Sequence, residues 1–261
     1  MKGMGSDAAR DSFFRSILRL FARHKVPFLV GGGYAFAQYT GIRRDTKDLD
    51  LFVRPADSRR ALELAARAGY KTWVKSPHWL GKIAHGDYFV DIIYSSGNAT
   101  CPVDDLWFEH APRATLLGAK VRLTPPEEMI WSKAFIMERH RYDGADVAHI
   151  LRAKAKELDW DRLIARFDDR WPVLLSHLVL FRFIYPHHAS DIPEHVLVRL
   201  VDRLPDTLAA PAGRRHCRGT LLSFLEYLPD VRSWGYRDAR LKPGGPMSQS
   251  EIDRWNSEPK G

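Results

Sequence analysis

Cysteine is scarce in this 261-residue chain: Cys101 and Cys217 stand far apart and outside any CxxC pattern. That excludes a disulfide framework or a thiolate zinc site and fits a reducing cytoplasm. Long apolar runs are missing as well. The longest, VLLSHLVLFRFIY (173–185), is interrupted by His177 and Arg182. It falls short of the roughly 18 residues a membrane span needs and predicts a buried helix, so no membrane partner is expected. No internal repeat and no cleavage-like leader segment are present. Asp7 and Asp11 argue against a transit peptide. Phe13, Phe14, Ile17, Leu18 and Phe21 instead recur at helical spacing behind Asp11 and Ser12, predicting a helix over 12–24. Acidic residues are outnumbered, 32 against 40 Lys and Arg, for a formal charge of +8. Such an excess suits a polyanionic partner such as a nucleotide or RNA, or simply a basic surface.

What is present reads as strands mixed with helices, then helices alone. VPFLV (26–30), LDLFV (49–53), KTWVK (71–75), YFVDIIYS (88–95) and AKVRLT (119–124) read as strands. Residues 34–39 read as a helix behind the glycines, and DSRRALELAARAG (57–69) as another with Asp57 at its cap. Thr124-Pro125-Pro126-Glu127 has the form of a helix start, predicting a helix from 125 to about 141. Further helices are expected around Trp160–Phe167 and over 172–185, 194–203 and 216–228. The expectation is an α/β (α+β) domain over 1–124, a helical domain over 125–240 and a flexible Pro/Gly/Ser-rich tail over 241–261.

The chemistry-bearing stretch is GGGYAFAQYTGIRRDTKDLDLFV (31–53). Glycine lets another group approach the backbone, and a glycine turn at a helix N-terminus offers unpaired N–H groups to an anion. Side chains alternate along a strand, so Asp48 and Asp50 share a face while Leu49 and Leu51 pack on the other. Their Cα atoms lie roughly 6.5–7 Å apart by the strand rise. At that spacing both carboxylates can reach a hard cation such as Mg²⁺. Asp91 sits inside the apolar run YFVDIIY, where a charge is costly unless paired or metal-bound. Each piece alone is commonplace in turns and at strand edges. The order is what distinguishes the chain: strand, glycines, helix, DxD strand, then an aspartate within a later strand.

That order resembles the DNA polymerase β-like nucleotidyltransferase superfamily, and within it the bacterial branch of AbiEii-type toxin nucleotidyltransferases. The residues that carry the resemblance are LVGGGYA (29–35), Arg44 and Thr46 in RDTKDLDLFV, and Asp91 in FVDII, within about residues 12–155. The resemblance implies a mixed β-sheet with flanking helices. It implies a triphosphate held by Gly31, Gly32 and Gly33, with Arg44 and Thr46 beside it. It also implies two divalent ions, Mg²⁺ or Mn²⁺, on Asp48, Asp50 and Asp91, the last also helping to activate an acceptor hydroxyl. Many members carry serine at the second position of the glycine pair. Here only glycine stands, which leaves phosphate to the backbone N–H groups.

Ile130, Lys133, Ala134 and Met137 fall on one stripe of the expected helix. A lysine on an apolar face either snorkels outward or meets an anion. The toxin-like relatives carry a lysine here, which implies nucleotide contact by Lys133, and Asp146 resembles an aspartate that follows that helix. Asp143 reads as a helix cap. His140, Asp143 and His149 match no familiar metal spacing. The expected activity is therefore transfer of a nucleotidyl group from an NTP to a hydroxyl of a tRNA end, a protein or a small molecule. A toxin–antitoxin role, a catalytically silent RNA- or partner-binding module and a metal-dependent nuclease are the alternatives. Valine at Gly32 or Gly33 is expected to lower NTP affinity with little loss of stability.

Overall fold

The computed structural model describes residues 4–96, 98–208 and 215–257. Cα packing divides the chain into two compact units, residues 1–125 and 126–261. The first unit opens on α1 (Met4–Arg23), followed by β1 (Leu29–Val30), α2 (Gly32–Thr40), β2 (Asp48–Phe52) and α3 (Pro55–Arg67). Three strands follow, β3 (Lys71–Ser76), β4 (Leu80–His85) and β5 (Tyr88–Ile93), then α4 (Asp105–Glu109) and the hairpin β6 (Arg113–Leu116) and β7 (Ala119–Arg122). Five strands form one sheet in the order β1-β2-β5-β4-β3. Only β2 and β5 are parallel, so the sheet is mixed, as expected.

One face of this sheet is core. Leu49, Leu51, Val90, Ile92 and Ile83 are fully buried, and α3 packs on β3, β4 and β5. The period-2 alternation then forces the residues between them onto the opposite face, which sets up the site.

The second unit is mostly helical: α5 (Pro126–Ala134), the short pair β8 (Met137–Glu138) and β9 (Arg141–Tyr142), α6 (Gly144–Lys154), α7 (Trp160–Phe167), α8 (Trp171–Ile184), α9 (Glu194–Val201) and α10 (Leu204–Leu208). β10 (His216–Cys217), α11 (Leu228–Arg232), β11 (Arg237–Asp238) and α12 (Gln249–Ser257) complete it. No helix among the described residues is long and apolar enough to cross a membrane. Both cysteines are buried free thiols.

Several expected boundaries move, each for a local reason. α1 runs straight through Asp11 and Ser12 rather than starting there. α3 starts two residues before Asp57, because Pro55 at its first position already has the helical φ. The helix expected to reach 141 stops at Ala134. Beyond it Met137 N–H donates to the Leu222 carbonyl and Asp143 N–H to the Ile136 carbonyl, so tertiary bonds replace the helical ones. The helix expected over 216–228 does not form: Cys217 pairs in parallel with Asp238, a 3₁₀ turn spans Arg218–Leu221, and only Leu228, the first residue of α11, is α-helical. The apolar run in α8 is half-buried rather than buried, since Phe183 is 84% exposed and Val179, Leu180 and Ile184 are exposed as well. The tail carries α12 in place of a loose end, with Ile252 and Trp255 buried and Trp255 packed on Phe224; residues 258–261 lie outside the described residues.

Candidate active site

β2 and β5 bring the acids together. In their parallel register Asp50 lies directly beside Asp91, and Asp48 beside Phe89. Asp48, Asp50 and Asp91 thus stand on the non-core face of two adjacent strands. The Thr46 hydroxyl donates to the Asp48 carboxylate and so fixes its direction. The Asp91 side chain is only 12% exposed. Burial raises its pKa, and the charge of Asp48 pushes the same way, while Lys82 opposes both.

Lys82 is the residue that sequence reasoning missed. β4 runs antiparallel to β5 with Lys82 directly opposite Asp91. Its Nζ donates to both Asp91 oxygens, at 2.7 and 3.0 Å, and lies 5.2 Å from the centre of the Phe89 ring. An ammonium therefore already neutralises the third carboxylate. The signal lay in the sequence, a lone cation in LGKIAH (80–85), but this segment has no β-branched run to mark it as a strand.

The glycines divide into two roles. Gly31 N–H donates to the Asp50 carbonyl at 2.9 Å, tying the turn to β2. Gly32 has φ +51°, a conformation a Cβ disfavours. A Cβ there would also overlap the Asp50 carboxylate, and one at Gly31 the Phe52 ring. Gly33 is different: its nearest neighbour would be Thr46 Cγ2 at 3.9 Å, so a methyl fits. This corrects the expectation that Gly32 and Gly33 are alike, since Gly32 is required by the fold itself. α2 begins at Gly32, two residues earlier than the sequence pattern indicates, so its free N–H groups belong to the glycine turn.

Gly33, Arg44 and Thr46 line one cavity of about 440 Å³, together with Arg10 and Arg43. The Arg44 guanidinium lies over the Phe36 ring, 4.7 Å from its centre. Lys133 and Asp146 belong to the second unit, where they are bonded to each other. Lys133 Nζ donates to Asp143 and Asp146, both at 2.8 Å. Burial would raise the Asp143 pKa, but Arg141 and Lys133 outweigh it and hold the carboxyl below its usual range. Asp143 is the N-cap residue of α6 by position, yet its side chain makes no cap hydrogen bond because those two cations take it. Met137, off the helix, no longer shares a stripe with Lys133.

Asp48, Asp50 and Asp91 thus share one sheet face, with the glycine turn packed against Asp50. The chain belongs to the family described as "Uncharacterised nucleotidyltransferase", whose sequence profile matches residues 12–171. With the strand–turn–helix–DxD order, this puts it among the polymerase β-like nucleotidyltransferases. No curated protein matches the chain. Solved structures with a similar chain path include the antibiotic-resistance factor ANT(2'')-Ia, at 17% identity and a TM-score of 0.47, covering 66% of this chain and 97% of that one. The lincosamide antibiotic adenylyltransferase LnuA, in a lincomycin-bound structure, shares 18% identity at a TM-score of 0.40, over 55% of this chain and 96% of its own. An antigenic nucleotidyltransferase-like protein from Paracoccidioides brasiliensis shares 15% at 0.43, over 70% and 91%. At such identities the likeness is one of chain path and assigns no substrate.

Proposed function

We propose that this protein transfers a nucleotidyl group from an NTP to a hydroxyl acceptor, as the AbiEii-like order of its motifs implies. The observation that carries the reading is the register that seats Asp50 against Asp91, with Asp48 on the same face and the Gly32 turn closing over Asp50. The acceptor oxygen forms a bond to the α-phosphorus, the bond from that phosphorus to the bridging oxygen breaks, and pyrophosphate leaves. The hydroxyl proton passes to a carboxylate, for which Asp91 is the candidate. Backbone N–H groups at Gly33 and the start of α2 receive the triphosphate, beside Arg44. Thr46 orients Asp48 toward the same face.

The donor set is all carboxylate oxygen, which fits Mg²⁺ or Mn²⁺. Bound on Asp48, Asp50 and Asp91, such ions would stabilise charge on the attacking and leaving oxygens. Among the described residues no ready-made cluster of three metal-ligating groups is assembled. Lys82 holds Asp91, so loading the third carboxylate requires Lys82 to release it. That ion pair is also what favours the second reading, a catalytically silent module whose lysine has replaced a metal. The two are separated by pyrophosphate release from each NTP with Mn²⁺ and total RNA or lysate. The enzyme reading expects release by the wild type and none by Asp50→Asn. Absence of release with all four NTPs would leave the silent module.

A further inference from the structure

A second cavity of about 650 Å³ lies on the first unit between the end of α1, the turn that follows it and the β6–β7 hairpin. Its lining includes Arg113, Lys120 and Arg122 and no carboxylate. Thr115 lines both this cavity and the one that Gly33 lines, so the two adjoin at that residue. The hairpin register explains the charge. Arg113 lies directly opposite Arg122, and Thr115 opposite Lys120, so all four side chains share one face, and all four are exposed. Like charges directly opposed across a ribbon cost stability unless an anion joins them. The Arg122 guanidinium is held by the carbonyls of Phe108 and Ala111, so that its charge stays fixed beside Arg113. The hairpin tip is held too: Arg15 Nε donates to the Leu117 carbonyl at 3.0 Å. Its two turn residues, Leu117 and Gly118, both have positive φ, as a tight two-residue hairpin requires. On the other side of Thr115 the first cavity carries Arg10, Arg43 and Arg44 and reaches Gly33 and Thr46, the residue bonded to Asp48.

We infer that these two adjoining basic cavities form a groove that binds single-stranded RNA and delivers one of its hydroxyls to the site; the inference rests on the transfer reading above. A row of cations with few acids tracks a phosphodiester backbone, not a cationic or neutral small molecule. Asp45 is the single carboxylate among the lining residues of the two cavities, and Arg10 is paired with it. Phe28 lines the second cavity and offers a ring for a base to stack on. Gln38 and Thr115 supply neutral hydrogen-bonding groups in the lining, partners for the 2′-hydroxyls that RNA has and DNA lacks.

The test is fluorescence anisotropy of a labelled single-stranded RNA oligonucleotide with the full chain, without NTP or metal, over a salt series. Wild type is expected to bind, and Arg113→Gln/Lys120→Gln to bind less well. Each phosphate contact contributes a slope of about 0.7 in log K against log salt. Losing two makes the slope shallower by about 1.4 and affinity at 0.1 M salt weaker by about 25-fold, which is 10 raised to 1.4. The charge-matched control Arg59→Gln/Arg139→Gln, at exposed sites elsewhere, should change affinity less than about twofold. Equal losses in both double variants, or none in the first, would overturn the groove. Equal binding of a DNA strand of the same sequence would overturn RNA as its occupant. Because nothing is turned over in this measurement, it can fail while pyrophosphate release succeeds, and the reverse.

Discussion

Alanine at two adjacent glycines should move stability in opposite directions. Gly32 has φ +51° and its Cβ would overlap the Asp50 carboxylate. The left-handed backbone costs roughly 1–2 kcal/mol for a residue with a Cβ. Asp50 must also turn away, so Gly32→Ala should lose at least about 2 kcal/mol, or roughly 4–8 °C in Tm at this chain length. Gly33 sits in the first turn of α2, where an added methyl would meet nothing closer than Thr46 Cγ2 at 3.9 Å. There the methyl is accommodated and alanine gains about 0.5–1 kcal/mol over glycine in a helix, so Gly33→Ala should raise Tm by roughly 1–4 °C. The larger Gly33→Val should still fold but block the approach of a triphosphate to the backbone, lowering NTP affinity by at least about tenfold, or about 1.4 kcal/mol. The assay is circular-dichroism melting of the three variants beside nucleotide titration. Loss of stability in both alanine variants, or unchanged NTP affinity in Gly33→Val, would refute the division of roles.

Two other perturbations follow from the ion pairs. Lys82→Met leaves the largely buried Asp91 without its counter-ion and should cost about 1–3 kcal/mol, given the partial exposure of the pair; adding Mn²⁺ should then raise the variant's Tm more than the wild type's, and an equal response in both would show that Asp91 takes no cation. The folded-state pKa of Asp143 lies below the ordinary value of 3.8, so its contribution to stability is present above about 3.8 and is lost as pH falls through the folded value; the Tm gap between wild type and Asp143→Asn should be open at pH 7 and narrow below 3.8, whereas a gap constant with pH would exclude a charge effect.

The acid face is legible in the sequence because it depends on one rule. Alternation in DLDLF puts Asp48 and Asp50 on one side, and an aspartate inside YFVDII has to share the sheet with them. The register that seats Asp50 beside Asp91 is not legible, since parallel pairing is set by the whole sheet. Lys82 stays hidden for a related reason: Leu80-Gly81-Lys82-Ile83-Ala84-His85 has weak strand propensity, and only its neighbours β3 and β5 make it a strand. Gly32 and Gly33 look equivalent because a run of glycines carries no information on which φ is positive. In the second unit, Lys133 does meet anions, but those it meets in this structure are the carboxylates of Asp143 and Asp146. The arrest of α5 at Ala134 depends on hydrogen bonds to Leu222, far along the chain, which no local pattern reports. The hairpin cations are in plain view as residues, yet their common face follows only from the Arg113–Arg122 register.

Transfer of a nucleotidyl group, rather than a phosphoryl group, is read from the position of a radiolabel on the NTP. Wild type incubated with Mn²⁺, total RNA and each NTP labelled either at the α- or at the γ-phosphate should give labelled RNA from one α-labelled NTP and none from its γ-labelled counterpart. Asp48→Asn, folded by its melting curve, should give neither. Label entering from the γ-position, or α-label transferred equally by Asp48→Asn, would contradict the account.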